Sequence, residues 1–194
     1  MEWKMPSQTF AVAGTAETLA GVDVDWTDPN NAKTANDTYA TVALDNGVGG
    51  PESDYLALYN FGFSIPTNAT VDGVEVTWFR KCDGGEIRDF NVLLYGDSGT
   101  QGDDKGVADF WPTSEGSAVY GGPADTWGLT LNPASINTTN FGCVISAEFV
   151  GALTDTAYVD NASITVTYTE YVPATFPQTQ PVLKTRRQTR VVSF

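Results

Sequence analysis

The chain contains no histidine. That removes the commonest general base and the commonest transition-metal ligand together, and with them Ser-His-Asp, Cys-His and His-based zinc or iron sites. Cysteine is nearly as scarce: Cys82 and Cys143 are the only two, too few for a Cys-rich zinc site. Both fall in expected strands. They could form one disulfide if those strands are adjacent, which spacing alone cannot show; two buried free thiols acting as small hydrophobes is the preferred reading. No apolar run approaches the roughly 20 residues a membrane-spanning helix needs. No long stretch repeats apolar residues at helical spacing, so little or no helix is expected. Met1–Phe10 lacks both a basic and an apolar leader region. The expectation is therefore a protein without a secretory signal, made in the host cytoplasm, for which assembly into a virion is one route out of a cell.

Basic residues are also few, 10 against 24 Asp and Glu, for a net charge of −14. They are unevenly spread. Residues 1–170 hold 6 Lys/Arg and all 24 acids, whereas the last 24 residues hold Lys184, Arg186, Arg187 and Arg190 and no acid. An acidic body repels nucleic acid and anionic membranes, so neither is an expected partner of the main domain.

What is abundant is Gly, Thr, Val and aromatic residues, which suit a pleated, half-buried surface. Asp25–Ala32 is a turn cluster of Asp, Asn and Pro. Strands are expected at Tyr39–Leu44, Tyr55–Phe63, Val71–Cys82, Arg88–Tyr95, Gly142–Phe149 and Ala157–Tyr168, with shorter ones at Thr9–Ala13 and Trp127–Leu131. In Val71–Cys82, Val74, Val76 and Trp78 share one face. In Tyr55–Phe63 the tyrosines oppose Leu56 and Leu58. The strands flanking Asp83-Gly84-Gly85 read as a hairpin, Gly96–Asp109 as a long exposed loop, and Asn132–Asn137 as one capped helical turn. Eight to ten strands without βαβ signals give an all-β fold: an antiparallel, jelly-roll-like β-sandwich with an extended C-terminal arm. The domain spans 1–171, with 1–24 as an N-terminal arm or edge strand. Residues 172–194 form a Pro-containing linker and basic arm.

Several segments together carry a resemblance: Asp25-Trp26-Thr27-Asp28-Pro29-Asn30-Asn31-Ala32, Asp37-Thr38-Tyr39-Ala40-Thr41, Phe61-Gly62-Phe63-Ser64-Ile65-Pro66 and Ala69-Thr70-Val71-Asp72-Gly73-Val74-Glu75-Val76. Trp111-Pro112, Tyr120-Gly121-Gly122, Asp125-Thr126-Trp127-Gly128, Asn140-Phe141-Gly142 and Ile164-Thr165-Val166-Thr167-Tyr168 follow in order. Over residues 25–168 the chain resembles a β-sandwich module found in virion proteins of tailed bacteriophages and in some bacterial surface proteins. Such modules decorate capsids, form parts of tails and fibres, or bind glycans, so the resemblance implies a capsid decoration or tail-associated protein, with partners among other virion proteins and copies of itself. No catalytic set comes with it, and no enzyme is expected.

Three constellations complete the reading. Trp111, Tyr120 and Trp127 sit near expected loops and could stack on sugar rings, which gives the alternative function of a carbohydrate-binding module; the competing reading is that these rings fill the core. Asp97, Asp103 and Asp104, with Asp28, Asn30 and Asp160, could offer oxygens to calcium, though none matches the spacing of a calcium loop, and solvated turn acids explain them as well. No other cofactor is expected. Lys184, Arg186, Arg187, Arg190, Val192 and Phe194 form a protein-docking arm able to add a strand to a neighbour's sheet.

Overall fold

A computed structural model describes residues 2–19, 24–47 and 50–172, with the backbone alone described at 2–4 and 171–172. Eleven strands are described: β1 Glu2–Lys4, β2 Ser7–Phe10, β3 Thr15–Leu19, β4 Ala40–Asp45, β5 Tyr55–Tyr59, β6 Thr70–Cys82, β7 Ile87–Gly96, β8 Gly99–Gln101, β9 Gly116–Gly121, β10 Gly142–Phe149 and β11 Thr154–Val172. A 3-10 helix covers Pro29–Lys33, and a single helical turn, α1, covers Pro133–Ile136.

The strands form two antiparallel sheets. In the first, the 19-residue β11 is the spine. One of its edges pairs with β6, which carries β9 beyond it, and the other edge pairs in succession with β4, β2 and β1. The second sheet runs β3-β5-β10-β7-β8. From β3 onward nearly every connection crosses from one sheet to the other, the habit of a jelly roll. The fold is thus the all-β, jelly-roll-like sandwich that the sequence implied.

Period-2 patterning explains the core. Val74, Val76 and Trp78 of β6 point inward and are fully buried, as are Leu56, Leu58, Val92, Leu94, Cys143 and Ile145 of the facing sheet. Each buried aliphatic side chain contributes about 1.5–3 kcal/mol relative to exposure. Cys82 and Cys143 are buried free thiols. Burial pushes the Cys143 thiol well above its ordinary range. The helical turn also forms as its residues imply: Asn132 accepts from the Ser135 backbone N–H at 3.0 Å, Ser135 Oγ returns the bond to Asn132, and Pro133 takes the first position.

Three local expectations are corrected. Strands β6 and β7 are not a hairpin, because they lie in different sheets. The buried Asp155 carboxylate of β11 accepts from the backbone N–H groups of Asp83, Gly84 and Glu86, so the turn is satisfied from the side and the chain is free to cross. Gly96–Asp109 is not all loop: β8 folds back on β7 through the two residues Asp97 and Ser98, with Gly99 at φ 89°. Trp127–Leu131 is not a strand, since Trp127 has φ 57° and the segment turns.

Candidate functional site

The three rings expected to stack on sugars do not form a surface. Trp111, Tyr120 and Trp127 are 1%, 4% and 0% exposed. Two of them join a polar network between the sheets. Arg80 of β6 points inward and meets Asp89 of β7 at 3.3 Å. Asp89 also accepts from Trp111 Nε1 at 2.8 Å, the Tyr120 hydroxyl at 2.7 Å and the Val107 N–H at 3.0 Å. The guanidinium donates to the Tyr120 hydroxyl and lies 4.7 Å from the centre of the Trp111 ring. Burial beside the Asp89 carboxylate raises the Tyr120 phenol far above its ordinary value. Trp127 packs over Gly121 and donates from Nε1 to the Val74 carbonyl at 2.8 Å. Rings buried to this degree present no face to a ligand.

A different set of rings does reach the surface. On the outer face of the second sheet, strand register lays the side chains in rows. Tyr59 of β5, Gly142 of β10 and Tyr95 of β7 stand abreast, flanked by Thr15 and Thr100. The next row holds Glu17, Ala57, Val144 and Leu93. Ala57 and Val144 are fully buried although they lie outside the core cluster between the sheets, so neighbouring outer side chains roof them. The third row brings Tyr55, Ser146 and Asn91.

The glycine is needed where it stands. A Cβ at Gly142 would run into the Leu58 carbonyl and come within 2.6 Å of Tyr59 Cβ. Without it, the rings of Tyr59 and Tyr95 lean together over β10, their centroids 5.2 Å apart and their planes at 44°. The result is a half-exposed tyrosine platform on a floor of small residues.

Polar groups edge this platform. The Tyr59 hydroxyl donates to Glu17 Oε1 at 2.7 Å. That bond, followed by burial and the charge of Glu17, pushes its phenol up to about 12. The Tyr55 hydroxyl donates to Asn91 Oδ1 at 3.0 Å, and Asn91 Nδ2 donates to Asp104 Oδ2 at 2.8 Å. Burial, with the nearby charge of Asp104, raises the Tyr55 phenol as well. Asp104 is itself held by the N–H groups of Val92 and Gly106.

Asn91 reaches this face through a β-bulge. Ser146 pairs with Asn91 and Ala147 with Asp89, leaving Phe90 as an extra residue. Strict alternation would send Asp89 and Asn91 to the same side. The bulge instead leaves Asp89 inside and brings Asn91 out, a use of bulges met often beside functional sites. Beyond it the face continues through Arg88, paired with Glu148 at 2.8 Å. From Gly142 to Glu148 the floor strand covers roughly 20 Å at about 3.3 Å per residue.

A second tyrosine pair lies on the outer face of the first sheet. Tyr39 and Tyr158 meet edge to face around Lys81, whose Nζ is 4.3 Å from the Tyr39 ring centre. Their hydroxyls donate to Glu115 and Asp83. Cation and rings satisfy one another here, so the cluster fastens surface segments together.

The acids considered for calcium scatter. Asp160 is buried and accepts from Asn36 N–H, Asp97 accepts from Asn140, and Asp104 edges the tyrosine platform. Among the described residues no group of three or more acid, cysteine or histidine side chains converges to hold a metal ion. Lys184, Arg186, Arg187, Arg190, Val192 and Phe194, expected as a docking arm, lie outside the described residues.

No family model and no curated protein matches the chain. Two solved structures to which it is similar are carbohydrate-binding modules. One is described as CBM4, with 12% identity over 80% of this chain and 92% of that one, at a TM-score of 0.36. The other is the family 11 carbohydrate-binding module of the cellulosomal cellulase Lic26A-Cel5E of Clostridium thermocellum, with 14% identity over 84% and 87% of the two chains, at a TM-score of 0.33. Neither is a virion protein, and the expectation of a phage capsid-decoration or tail protein is corrected on that finding. The residues that suggested it explain why it failed. Trp26, Trp111 and Trp127 are buried, and Asp28 and Gly121 occupy positive-φ turns. Such motifs specify a sandwich and its corners rather than a role.

Proposed function

We propose that this chain is a non-catalytic carbohydrate-binding module whose ligand lies along the outer face of the second sheet. The observation that carries the reading is the Tyr59–Tyr95 platform over Gly142, edged by Glu17, Asn91 and Asp104. Sugars present apolar C–H faces and hydroxyl rims, and a ligand site of this kind combines aromatic surface with a few placed polar groups. The length of the floor suits a chain of several sugar rings better than a single one. The platform's acids are bound to their neighbours, which fits binding rather than bond cleavage.

A glycan array probed with the whole chain tests this. Hits should disappear in Tyr59→Ala and Tyr95→Ala while Trp111→Phe retains them. An array without hits, or hits indifferent to both tyrosine changes, refutes the assignment.

A further inference from the structure

We infer that the platform accepts uncharged, hydroxyl-rich glycans and turns away carboxylated or sulfated ones, with Glu17 and Asp104 as the specificity-determining residues. The inference rests on the glycan-binding reading above.

The donor and acceptor inventory points this way. The hydroxyl proton of Tyr59 goes to Glu17, that of Tyr55 goes to Asn91, and an Asn91 amide proton goes to Asp104. The second Asn91 amide proton and the Tyr95 hydroxyl remain as neutral donors, and the charged groups on offer are two carboxylates, which accept only. A ligand group that meets either carboxylate must bring a donor. Sugar hydroxyls bring one; a carboxylate or sulfate brings only more acceptors, together with a like charge.

A cation does stand farther along the face, but Arg88 is held by Glu148 at 2.8 Å. Drawing it to an anionic ligand would strip Glu148 of its partner. The field of the body acts in the same sense, since residues 1–170 hold 6 basic residues against 24 acids. Such a surface repels polyanions before contact.

The test uses the whole chain on an array carrying neutral glycans beside sulfated and carboxylated forms of the same backbones, at low and high salt. Hits should be confined to the neutral members. In Glu17→Gln with Asp104→Asn, which keeps both shapes and an acceptor oxygen at each position, binding of the anionic members should rise by about two- to fivefold per charge removed, the scale of exposed charge interactions. That rise should shrink at high salt. Anionic members bound by the unaltered chain as strongly as neutral ones, with both signals lost in Tyr59→Ala, would overturn the charge selection and leave the platform standing. Hits that survive Tyr59→Ala, or no hits at all, would overturn both.

Discussion

Replacing Asp89 by alanine is the sharpest test of how this sandwich holds its shape. The carboxylate compensates a buried guanidinium and accepts from Trp111, Tyr120 and Val107. Breaking a buried ion pair from one side costs about 3–5 kcal/mol, because the remaining charge stays buried without its partner. Arg80 Nε already has no hydrogen-bond partner among the described residues, so Asp89 carries much of the compensation. The Trp111 face offsets part of the loss, since cation–π contacts are worth about 0.5–2 kcal/mol. Orphaned Trp111 and Val107 donors act in the opposite direction at about 1–3 kcal/mol each, with incomplete additivity. A net loss of about 4 kcal/mol is expected, a large share of the roughly 5–15 kcal/mol by which domains are stable. Asp89→Asn keeps the shape and one acceptor oxygen, and should cost about half as much. Guanidinium unfolding followed by tryptophan fluorescence reads both, with the slope unchanged. A loss under about 1 kcal/mol for Asp89→Ala, or no difference between the two variants, would refute the reasoning.

Gly142→Ala should destabilise by about 1–3 kcal/mol through overpacking against the Leu58 carbonyl, and should weaken glycan binding beyond what its stability loss explains, read by parallel unfolding and affinity measurements. Tyr39 and Tyr59 have phenols raised from 10 to about 12, so the folded state holds their protons more tightly than the unfolded chain does; stability should be intact below pH 10 and fall as pH rises towards 12, less steeply in Tyr59→Phe, as alkaline unfolding curves would show. Neither Cys82 nor Cys143 should react with a thiol reagent in the native protein, and both should react in denaturant. Deleting Phe90 should leave a cooperatively folding protein, whereas deleting Leu93, which has a one-to-one partner in Val144, should abolish cooperative melting.

Much of the sandwich was legible in the residues themselves. Val74, Val76 and Trp78 alternate with polar neighbours, and that period places them inside whatever the strand pairs with. Asn132 and Pro133 carry a capping signal at adjacent positions, so this helical turn could be read locally. The β6–β7 connection was different. Asp83-Gly84-Gly85 is sound turn chemistry, but the group that satisfies the turn is Asp155, some 70 positions away in sequence. No local pattern says whether a turn returns to the same sheet. The aromatic assignment failed for a related reason. Proximity to turns suggested that Trp111, Tyr120 and Trp127 were exposed, yet Tyr120 lies within β9 and the turns that carry Trp111 and Trp127 leave both side chains buried. The rings at corners are among the best covered.

The platform was half visible. Parity along the strand set Tyr55 and Tyr59 opposite Leu56 and Leu58, but Phe61 and Phe63 share the parity of the tyrosines, so both faces read as covered. What could not be seen was the partner: Tyr95 meets Tyr59 only because β10 lies between them with Gly142 at the crossing point. Asn91 was hidden more deeply. Reading β7 by strict alternation puts Asp89, Asn91, Leu93 and Tyr95 on one side, which either buries the platform or exposes the ion pair. Both arrangements cannot hold on an unbroken strand. The extra residue Phe90 resolves the conflict, because it lets one strand supply a core carboxylate before the bulge and a surface amide after it. The bulge therefore joins the two sites: the same strand anchors Arg80 inside and builds the candidate glycan face outside. A change that tightens or loosens either side has a direct physical route to the other through the Asp89–Asn91 backbone.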